Sequence, residues 1–121
     1  MSKVKRKLTT ILATDCVGFS KRMDENEELT LENLKACRSI IDPQIKEFGG
    51  RIFYTAGDSV IAEFESPVEC VNAAIGFQKA INDRNNTLSE ESQLDWRVGI
   101  HLDDVIICLL YTSPSPRDGS I

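Results

Sequence analysis

The spacing of apolar residues along the first half of the chain predicts a strand followed by a helix. Residues 7–14 are apolar and β-branched and stop at Asp15, which is typical of a buried strand that ends there. A polar loop is expected after it. Residues 27–48 carry apolar side chains three or four positions apart, which predicts a helix that Gly49-Gly50 ends and that Pro43 kinks or divides. Its apolar positions are Leu34, Cys37, Ile41, Ile45 and Phe48.

The second half of the chain predicts two short strands, a helix and a further strand. Two apolar arms flank Ala56-Gly57-Asp58-Ser59, which indicates two strands joined by a tight turn. Ser66, Pro67 and Glu69 then match the capping signals of a helix N-terminus. Residues 94–102 alternate apolar with polar or small side chains, which predicts a half-buried strand. The helix is expected to point four apolar side chains towards the core: Val71, Ala74, Ile75 and Ile81.

The order strand, helix, strand, strand, helix, strand predicts an α+β fold, the ferredoxin-like βαββαβ sandwich. In this topology the first two strands are parallel and the third strand lies between them. The turn at Asp58 is therefore expected beside the end of the first strand. Asp15 and Asp58 lie 43 positions apart in the sequence, yet the topology predicts that they meet at one rim of the sheet.

Two carboxylates at a strand end, followed by a loop of small residues, suggest a magnesium and phosphate site. Carboxylates are hard oxygen ligands, and Mg²⁺ takes one or two of them together with substrate phosphates. The loop after Asp15 adds backbone amides that can bind an anion, from Cys16, Val17, Gly18, Phe19 and Ser20. Taken singly, Asp58 is equally explained as a turn residue and Asp15 as a strand-terminal or capping residue.

The charge of the chain argues against a polyanionic partner. Its 121 residues fit one domain and carry 19 acidic against 14 basic side chains, a net charge of −5. Neither nucleic acid nor an anionic membrane is therefore expected to bind it. Four basic residues crowd the first seven positions, either as a solvated arm or as a funnel for a small anion: Lys3, Lys5, Arg6 and Lys7.

Cysteine usage and apolar run length indicate a cytoplasmic protein. The four cysteines form no CxxC pair and no metal-ligand spacing, so reduced thiols are the simplest interpretation. No apolar run approaches the roughly 20 residues of a membrane-spanning helix. We expect no membrane segment in this chain, and a membrane-associated protein would need one outside it.

The character of the sequence changes at Cys108. Residues 108–118 read CLLYTSPSPRD, which resembles the in-frame translation of a transposase sequencing adapter. A Ser/Pro-rich stretch would otherwise be interpreted as a loop or linker. We predict that residues 1–107 are the N-terminal part of a natural domain and that residues 108–121 are a disordered, non-native read-through tail.

Four motifs in residues 5–107 occur in a distinctive order. They are the loop Asp15-Cys16-Val17-Gly18-Phe19-Ser20, the Gly49-Gly50-Arg51 before the hairpin, the Gly57-Asp58 at its tip, and Arg97-Val98-Gly99-Ile100-His101. With this order and spacing the chain resembles the catalytic domain of class III adenylate and guanylate cyclases of the bacterial type.

The resemblance implies a homodimer with nucleotide sites between the subunits. It implies conversion of ATP, or of GTP, to a 3′,5′-cyclic nucleotide and pyrophosphate for intracellular signalling. By position, Asp15 and Asp58 correspond to the catalytic aspartates that bind two Mg²⁺ or Mn²⁺ ions, with the Cys16 backbone carbonyl as a further candidate ligand. The loop from Cys16 to Ser20 (Cys16, Val17, Gly18, Phe19, Ser20) corresponds to the phosphate-binding backbone.

Departures from the family pattern leave the base and the activity open. Tyr54 stands at the base-specificity position, where adenylate cyclases often carry Lys and guanylate cyclases Glu, and its hydroxyl both donates and accepts. Asp103 replaces a glycine and is expected to have a surface role. The family's second purine contact and its Asn and Arg for transition-state charge lie beyond Ile107, so the 121-residue chain is predicted to be inactive and marginally folded. The alternative is a degenerate cyclase-like module that binds a nucleotide or a partner and regulates an attached domain.

Overall fold

The elements of the chain follow the predicted order, with an additional helix near the start and an additional two-residue strand after the last predicted one. The computed structural model describes the backbone of residues 4–108 and 111–112 and the side chains of residues 9–102. Its elements are β1 (Val4–Cys16), α1 (Phe19–Glu25), α2 (Glu27–Glu47), β2 (Arg51–Ala56), β3 (Ser59–Phe64), α3 (Pro67–Asn85), β4 (Trp96–Cys108) and β5 (Tyr111–Thr112), with a short 3₁₀ turn at Glu90–Ser92.

The strands form one antiparallel sheet in the order β2-β3-β1-β4-β5. Strand β3 lies between β1 and β2, as the crossover topology predicts, and the ferredoxin-like core is confirmed. In the register, Thr14 lies opposite both Val60 of β3 and Val98 of β4. The described ends of β1, β4 and the β2–β3 turn therefore meet at one rim.

The core lies between one face of the sheet and the helices α2 and α3. Alternate residues of β1 and β3 point into it, because successive side chains of a strand face opposite sides. Helices α2 and α3 contribute side chains spaced three or four positions apart. The fully buried members include Leu12, Val60, Ala62 and Phe64 from the sheet, Cys37, Ile41 and Ile45 from α2, and Phe77 from α3.

The polar loop expected after Asp15 is largely helix α1. Gly18 begins it with a left-handed backbone conformation, φ 66° and ψ 30°, which glycine adopts without a steric cost. Helix α1 has no buried residue. Without an apolar stripe, it produces no helical period in the sequence, which explains why the pattern did not predict it.

Helix α2 confirms the predicted span but is not divided by Pro43. It runs unbroken from Glu27 to Glu47, and the Asn26 side chain accepts a hydrogen bond from the Leu29 amide at 3.1 Å. Pro43 is exposed, while Ile41 and Ile45 on either side are fully buried. Proline has no backbone N–H, so the helix lacks one hydrogen bond at Pro43. The packing of Ile41 and Ile45 in the core keeps the helix continuous there.

Helix α3 begins as predicted but buries a different face. Ser66 Oγ accepts a hydrogen bond from the Glu69 amide at 3.2 Å, with Pro67 in the first turn. The prediction was right for Ala74 and Ile81 and wrong for Val71 and Ile75, which are 43% and 61% exposed. The buried stripe instead follows the large Phe77 ring and consists of Cys70, Ala73, Ala74, Phe77 and Ile81.

Among the side chains of β4 that the structure describes, residues 96–102, only that of Trp96 is buried. Trp96 is buried and its carbonyl accepts a hydrogen bond from Gln78 Nε2 of α3 at 2.7 Å. Ile100 and Leu102, predicted to be on the buried face, are 43% and 52% exposed. The alternation therefore identified the strand correctly but overestimated how far the core extends along it.

The predicted tail falls mostly outside the described residues. This applies to residues 109–110 and 113–121, whereas Tyr111 and Thr112 pair with Cys108 and Ile107. The predicted boundary after Ile107 stays a prediction. The side chains of the N-terminal basic residues and of Asp103 also lie outside the described part of the chain. Within the described part, no helix has the length and apolar character needed to cross a membrane.

Replacing Gly50 by Ala is expected to destabilise the fold. A Cβ atom at this position would lie 2.5 Å from Phe64 Cζ and 2.7 Å from Ile45 Cγ2. Overpacking against two buried side chains costs about 1–3 kcal/mol. Urea unfolding followed by circular dichroism measures the loss.

Gly76→Ala is the matched control for this substitution. Its Cβ would meet Gln44 Oε1 at 2.5 Å, which is the movable end of a flexible side chain. Alanine also favours the interior of a helix over glycine by about 1 kcal/mol. We expect a free energy of unfolding close to that of the wild type, and equal losses in the two variants would contradict the packing argument.

Candidate functional site

The two predicted aspartates meet at the rim where β1 ends. Asp58 lies in the turn between β2 and β3, after Gly57, whose φ of 57° favours glycine. The Asp58 Oδ2 atom accepts a hydrogen bond from the Cys16 backbone amide at 2.8 Å. This bond ties the turn to the residue that follows Asp15, so the neighbourhood predicted from the topology is present in the structure.

Arg97 is a third charged residue at this rim. It lies opposite Asp15 in the β1–β4 register, and its Nε donates to Asp15 Oδ1 at 2.9 Å. Thr14 Oγ1 donates to the Arg97 carbonyl at 2.7 Å, which fixes the backbone from which the guanidinium extends. The hydrogen bond and charge of Asp15 raise the pKa of Arg97, with a smaller contribution from Asp58.

Sequence reasoning did not assign Arg97 a role at the site. Its motif was noted, but an ion pair between residues 82 positions apart depends on the exact register of β1 against β4. The antiparallel pairing of those two strands was the signal that would have found it.

A cleft of about 310 Å³ lies beside these charges on the sheet face away from the core. Three strands line it, each through residues of the alternating set that faces away from the helices. These include Ala13 and Asp15 from β1, Ser59 and Ile61 from β3, and Arg97 and Gly99 from β4. The small side chains of Ala13, Ser59 and Gly99 leave room over the centre of the sheet.

Two of the five backbone amides predicted to bind phosphate already donate hydrogen bonds within the chain. The Cys16 amide is used by Asp58, and the Val17 amide donates to the Asp95 carbonyl at 2.8 Å. The amides of Gly18, Phe19 and Ser20, at the start of α1, donate no hydrogen bond to any described residue. Three of the five predicted amides therefore remain unpaired at this end of the chain's first helix.

The two carboxylates have one oxygen each that is not used within the described chain. Asp15 Oδ1 and Asp58 Oδ2 accept the bonds given above, while Asp15 Oδ2 and Asp58 Oδ1 accept none from a described residue. No group of three or more His, Cys, Asp or Glu side chains suited to a metal occurs among the described residues. Two hard oxygen donors suit a divalent cation that obtains its other ligands from water and a substrate.

Tyr54 lies on β2, two strands away from Asp15. It is paired with Ile61, which lines the cleft, and its side chain is 52% exposed. A register shift between Ile52 and Tyr54 interrupts the pairing of β2 with β3 just before it. The hydroxyl is therefore on the cleft side of the sheet and accessible from solvent.

The chain is similar, in sequence and in fold, to proteins that are named as nucleotide cyclases. It is 35% identical over 105 residues to the Rhizobium meliloti (strain 1021) protein named "Putative adenylate cyclase 3", which covers 86% of this chain and 18% of that protein. The crystal structure of an adenylate/guanylate cyclase/hydrolase from Silicibacter pomeroyi superposes with a TM-score of 0.77 at 32% identity, covering 86% of this chain and 61% of that one.

A further relative is a kinase. The serine/threonine-protein kinase pkn2 of Myxococcus xanthus is 29% identical over 106 residues, which is 87% of this chain and 13% of that protein. No family model matches the chain. The chain thus spans less than a fifth of the length of the two curated relatives, and about three fifths of the solved structure.

The buried thiols are expected to resist alkylation in the folded chain. Burial, and then the charge of Asp58, raise the pKa of Cys16 to about 12. Burial raises the pKa of Cys70 to about 11 and also raises the pKa of Cys37. At pH 8, iodoacetamide should leave these three cysteines unmodified in the native chain and modify them in urea, as read by peptide mapping.

The same shifts give a direction for stability against pH. Burial raises the pKa of the Cys16 thiol from its ordinary value of 9.0 to about 12. The contribution of this buried thiol to the stability of the fold is therefore complete below pH 9 and is lost as the pH rises towards 12. Modification of Cys16 in the native chain at the rate seen in urea would contradict its burial.

Proposed function

We propose that the chain comes from a class III nucleotide cyclase, because its described part has the fold of adenylate and guanylate cyclase catalytic domains and is similar to them in sequence. The full-length protein converts ATP, or GTP, to the 3′,5′-cyclic nucleotide and pyrophosphate. The observation that carries the proposal is the 2.8 Å bond from the Cys16 amide to Asp58, which holds the second aspartate beside the first.

Asp15 and Asp58 are the proposed ligands of two Mg²⁺ or Mn²⁺ ions. Each carboxylate has one oxygen that accepts no hydrogen bond from a described residue, and the Cys16 carbonyl remains a further candidate. When bound, such ions make a ribose hydroxyl more acidic and offset the charge of the triphosphate. The chain holds both carboxylates in fixed positions and leaves one oxygen of each available to bind a metal ion.

The start of α1 is the proposed contact for the triphosphate. The amides of Gly18, Phe19 and Ser20 are the members of the predicted set that are unpaired among the described residues. The amides of Cys16 and Val17 instead fix the shape of the loop by bonding to Asp58 and Asp95. This division of roles supports binding through the first turn of α1 and rigidity before it.

The nucleotide site is proposed to be completed by a second subunit. The cleft at Asp15 lies open on the sheet face opposite the helices, which is compatible with a homodimer whose partner covers it. Tyr54, on the same face, is the proposed base-specificity position, with ATP as the first candidate substrate. We place the activity in the cytoplasm.

A second candidate function is a regulatory cyclase-like module. Two observations favour it: Tyr54 stands where cyclases usually carry a charged base-reading residue, and one relative is a protein kinase of which this chain matches 13%. Such a module binds a nucleotide or a partner without turnover. A full-length protein that forms no cyclic nucleotide from ATP or GTP with Mn²⁺ would favour it over the enzyme.

Replacing Asp58 by Asn tests the metal role in the full-length protein. An asparagine oxygen still accepts the Cys16 amide, so the turn keeps its place, but the carboxylate charge is lost. Loss of a charge that stabilises the transition state typically costs about 100-fold or more in turnover. Cyclic AMP formation with Mn²⁺ and ATP, measured by liquid chromatography, should fall at least that far.

Asp83→Asn is the matched control for this experiment. Asp83 is an exposed aspartate of α3, and its replacement removes the same charge away from the rim. Turnover should stay at the wild-type value. Undiminished turnover in Asp58→Asn, with its fold intact by circular dichroism, would remove Asp58 from the proposed metal site.

The purified 121-residue chain is expected to form no cyclic nucleotide. Arg97 is the one cationic side chain among the described residues that line the cleft, and it is paired with Asp15. The described residues therefore supply no free cation there to stabilise the charge that develops on the transferred phosphoryl group. Incubation with ATP or GTP and either metal should yield no product above that of the Asp58→Asn chain. Product formation by the wild-type chain alone would show that these residues contain a complete site.

A further inference from the structure

Asn85 is a buried polar residue outside the proposed metal and phosphate contacts. It is the last residue of α3 and only 5% exposed. Its Nδ2 donates to the Leu94 carbonyl at 3.0 Å and to Asp95 Oδ1 at 3.3 Å, and its Oδ1 accepts from the Leu94 amide at 3.3 Å. One side chain thus makes three bonds to the two residues that precede β4.

The segment that Asn85 holds is in direct contact with the loop after β1. The Asp95 carbonyl accepts the Val17 amide at 2.8 Å. Two residues further on, Arg97 pairs with Asp15. The amide next to Val17, that of Cys16, holds Asp58. The hydrogen bonds of Asn85 are therefore linked, through Asp95, to both predicted aspartates.

The connection that leads to this segment has few other anchors. Between α3 and β4, residues 86–95 contain a single 3₁₀ turn, Glu90–Ser92, and Leu94 is their one buried side chain. The buried side-chain amide of Asn85 bonds to both the backbone carbonyl and the backbone amide of Leu94. These two bonds fix the position from which the next residue, Asp95, contacts Val17. The loss of such bonds leaves the backbone groups of Leu94 unpaired inside the protein, which is costly.

We infer that Asn85 is a positioning residue for the site at the end of β1. It fixes Leu94 and Asp95, and the Asp95 carbonyl in turn holds the Val17 amide, directly before the start of α1. The effect of this positioning on catalysis rests on the proposed function, since the start of α1 is the proposed triphosphate contact. The positioning of the Val17 amide does not depend on the proposed function, because the Val17–Asp95 hydrogen bond is present whatever the site binds.

Hydrogen exchange of the Val17 amide tests the inference in the 121-residue chain. In Asn85→Ala we expect exchange at Val17 to accelerate by about tenfold or more relative to wild type, the effect of losing one to two hydrogen bonds. The measurement is two-dimensional NMR of the exchanging amides, with amides of β3 as internal references for global unfolding.

Asn33→Ala is the matched control variant. Asn33 is 6% exposed on α2, donates to the Leu29 carbonyl at 3.0 Å and accepts from Arg84 Nη2 at 2.7 Å. Its loss should lower the free energy of unfolding similarly without selective acceleration at Val17. Equal acceleration at Val17 and at the β3 amides in both variants would mean that Asn85 is only a stabilising residue.

A second variant keeps the test decisive if Asn85→Ala does not fold. Asn85→Asp retains an acceptor for the Leu94 amide but loses both donated bonds, so Val17 exchange should again rise selectively. An unprotected Val17 amide in the wild type, or unchanged protection in the folded variant, overturns the inference.

Addition of Mn²⁺ and ATP separates this inference from the proposed function. Line broadening near Asp15 and Asp58 in the wild type, weakened in Asn85→Ala and retained in Asn33→Ala, supports both. If the wild type shows no broadening but Asn85→Ala still accelerates exchange of the Val17 amide, the positioning role is supported. That result counts against metal binding by the two aspartates.

Discussion

Strand β1 is hydrogen-bonded along both edges, to β3 on one side and to β4 on the other. A strand that is paired on both sides has a fixed register against both neighbours. The strand cannot slide, so the residue at its end stays in one place. The rim geometry depends on this constraint. It places Cys16 opposite Trp96, Asp15 opposite Arg97, and the β2–β3 turn within hydrogen-bond distance of the Cys16 amide.

The negative charge of the two aspartates at the rim is partly offset by Arg97, and the site stays open. The Arg97 side chain is 69% exposed and that of Asp15 39%, and an ion pair this exposed is weak because solvent screens it. Arg97 therefore orients Asp15 and offsets part of the negative charge shared with Asp58. A divalent cation that binds both carboxylates would compete with a weak pair rather than a strong one, which is compatible with the proposed metal role.

The sequence predicted those parts of the fold that depend on local pattern and on chain topology. Asp15 and Asp58 were expected to meet because the crossover forces the hairpin beside β1. Val71 and Ile75 were assigned to the wrong face because several helical faces of α3 are apolar, and the bulk of Phe77 decides between them. Arg97 and Asn85 were not predicted because their partners are set by strand register and by a loop conformation, which apolar spacing does not encode.

Within the proposed enzyme, the described residues specify the reaction more firmly than the base. The triphosphates of ATP and GTP are identical, so two aspartates and the amides of Gly18, Phe19 and Ser20 cannot distinguish them. Discrimination requires hydrogen bonds to the purine edge, where adenine and guanine present opposite donors and acceptors. The Tyr54 hydroxyl is rotatable and serves as either donor or acceptor, and it is 52% exposed. Because a solvated hydroxyl adjusts to both patterns, selectivity for one base has to come from a second, fixed contact.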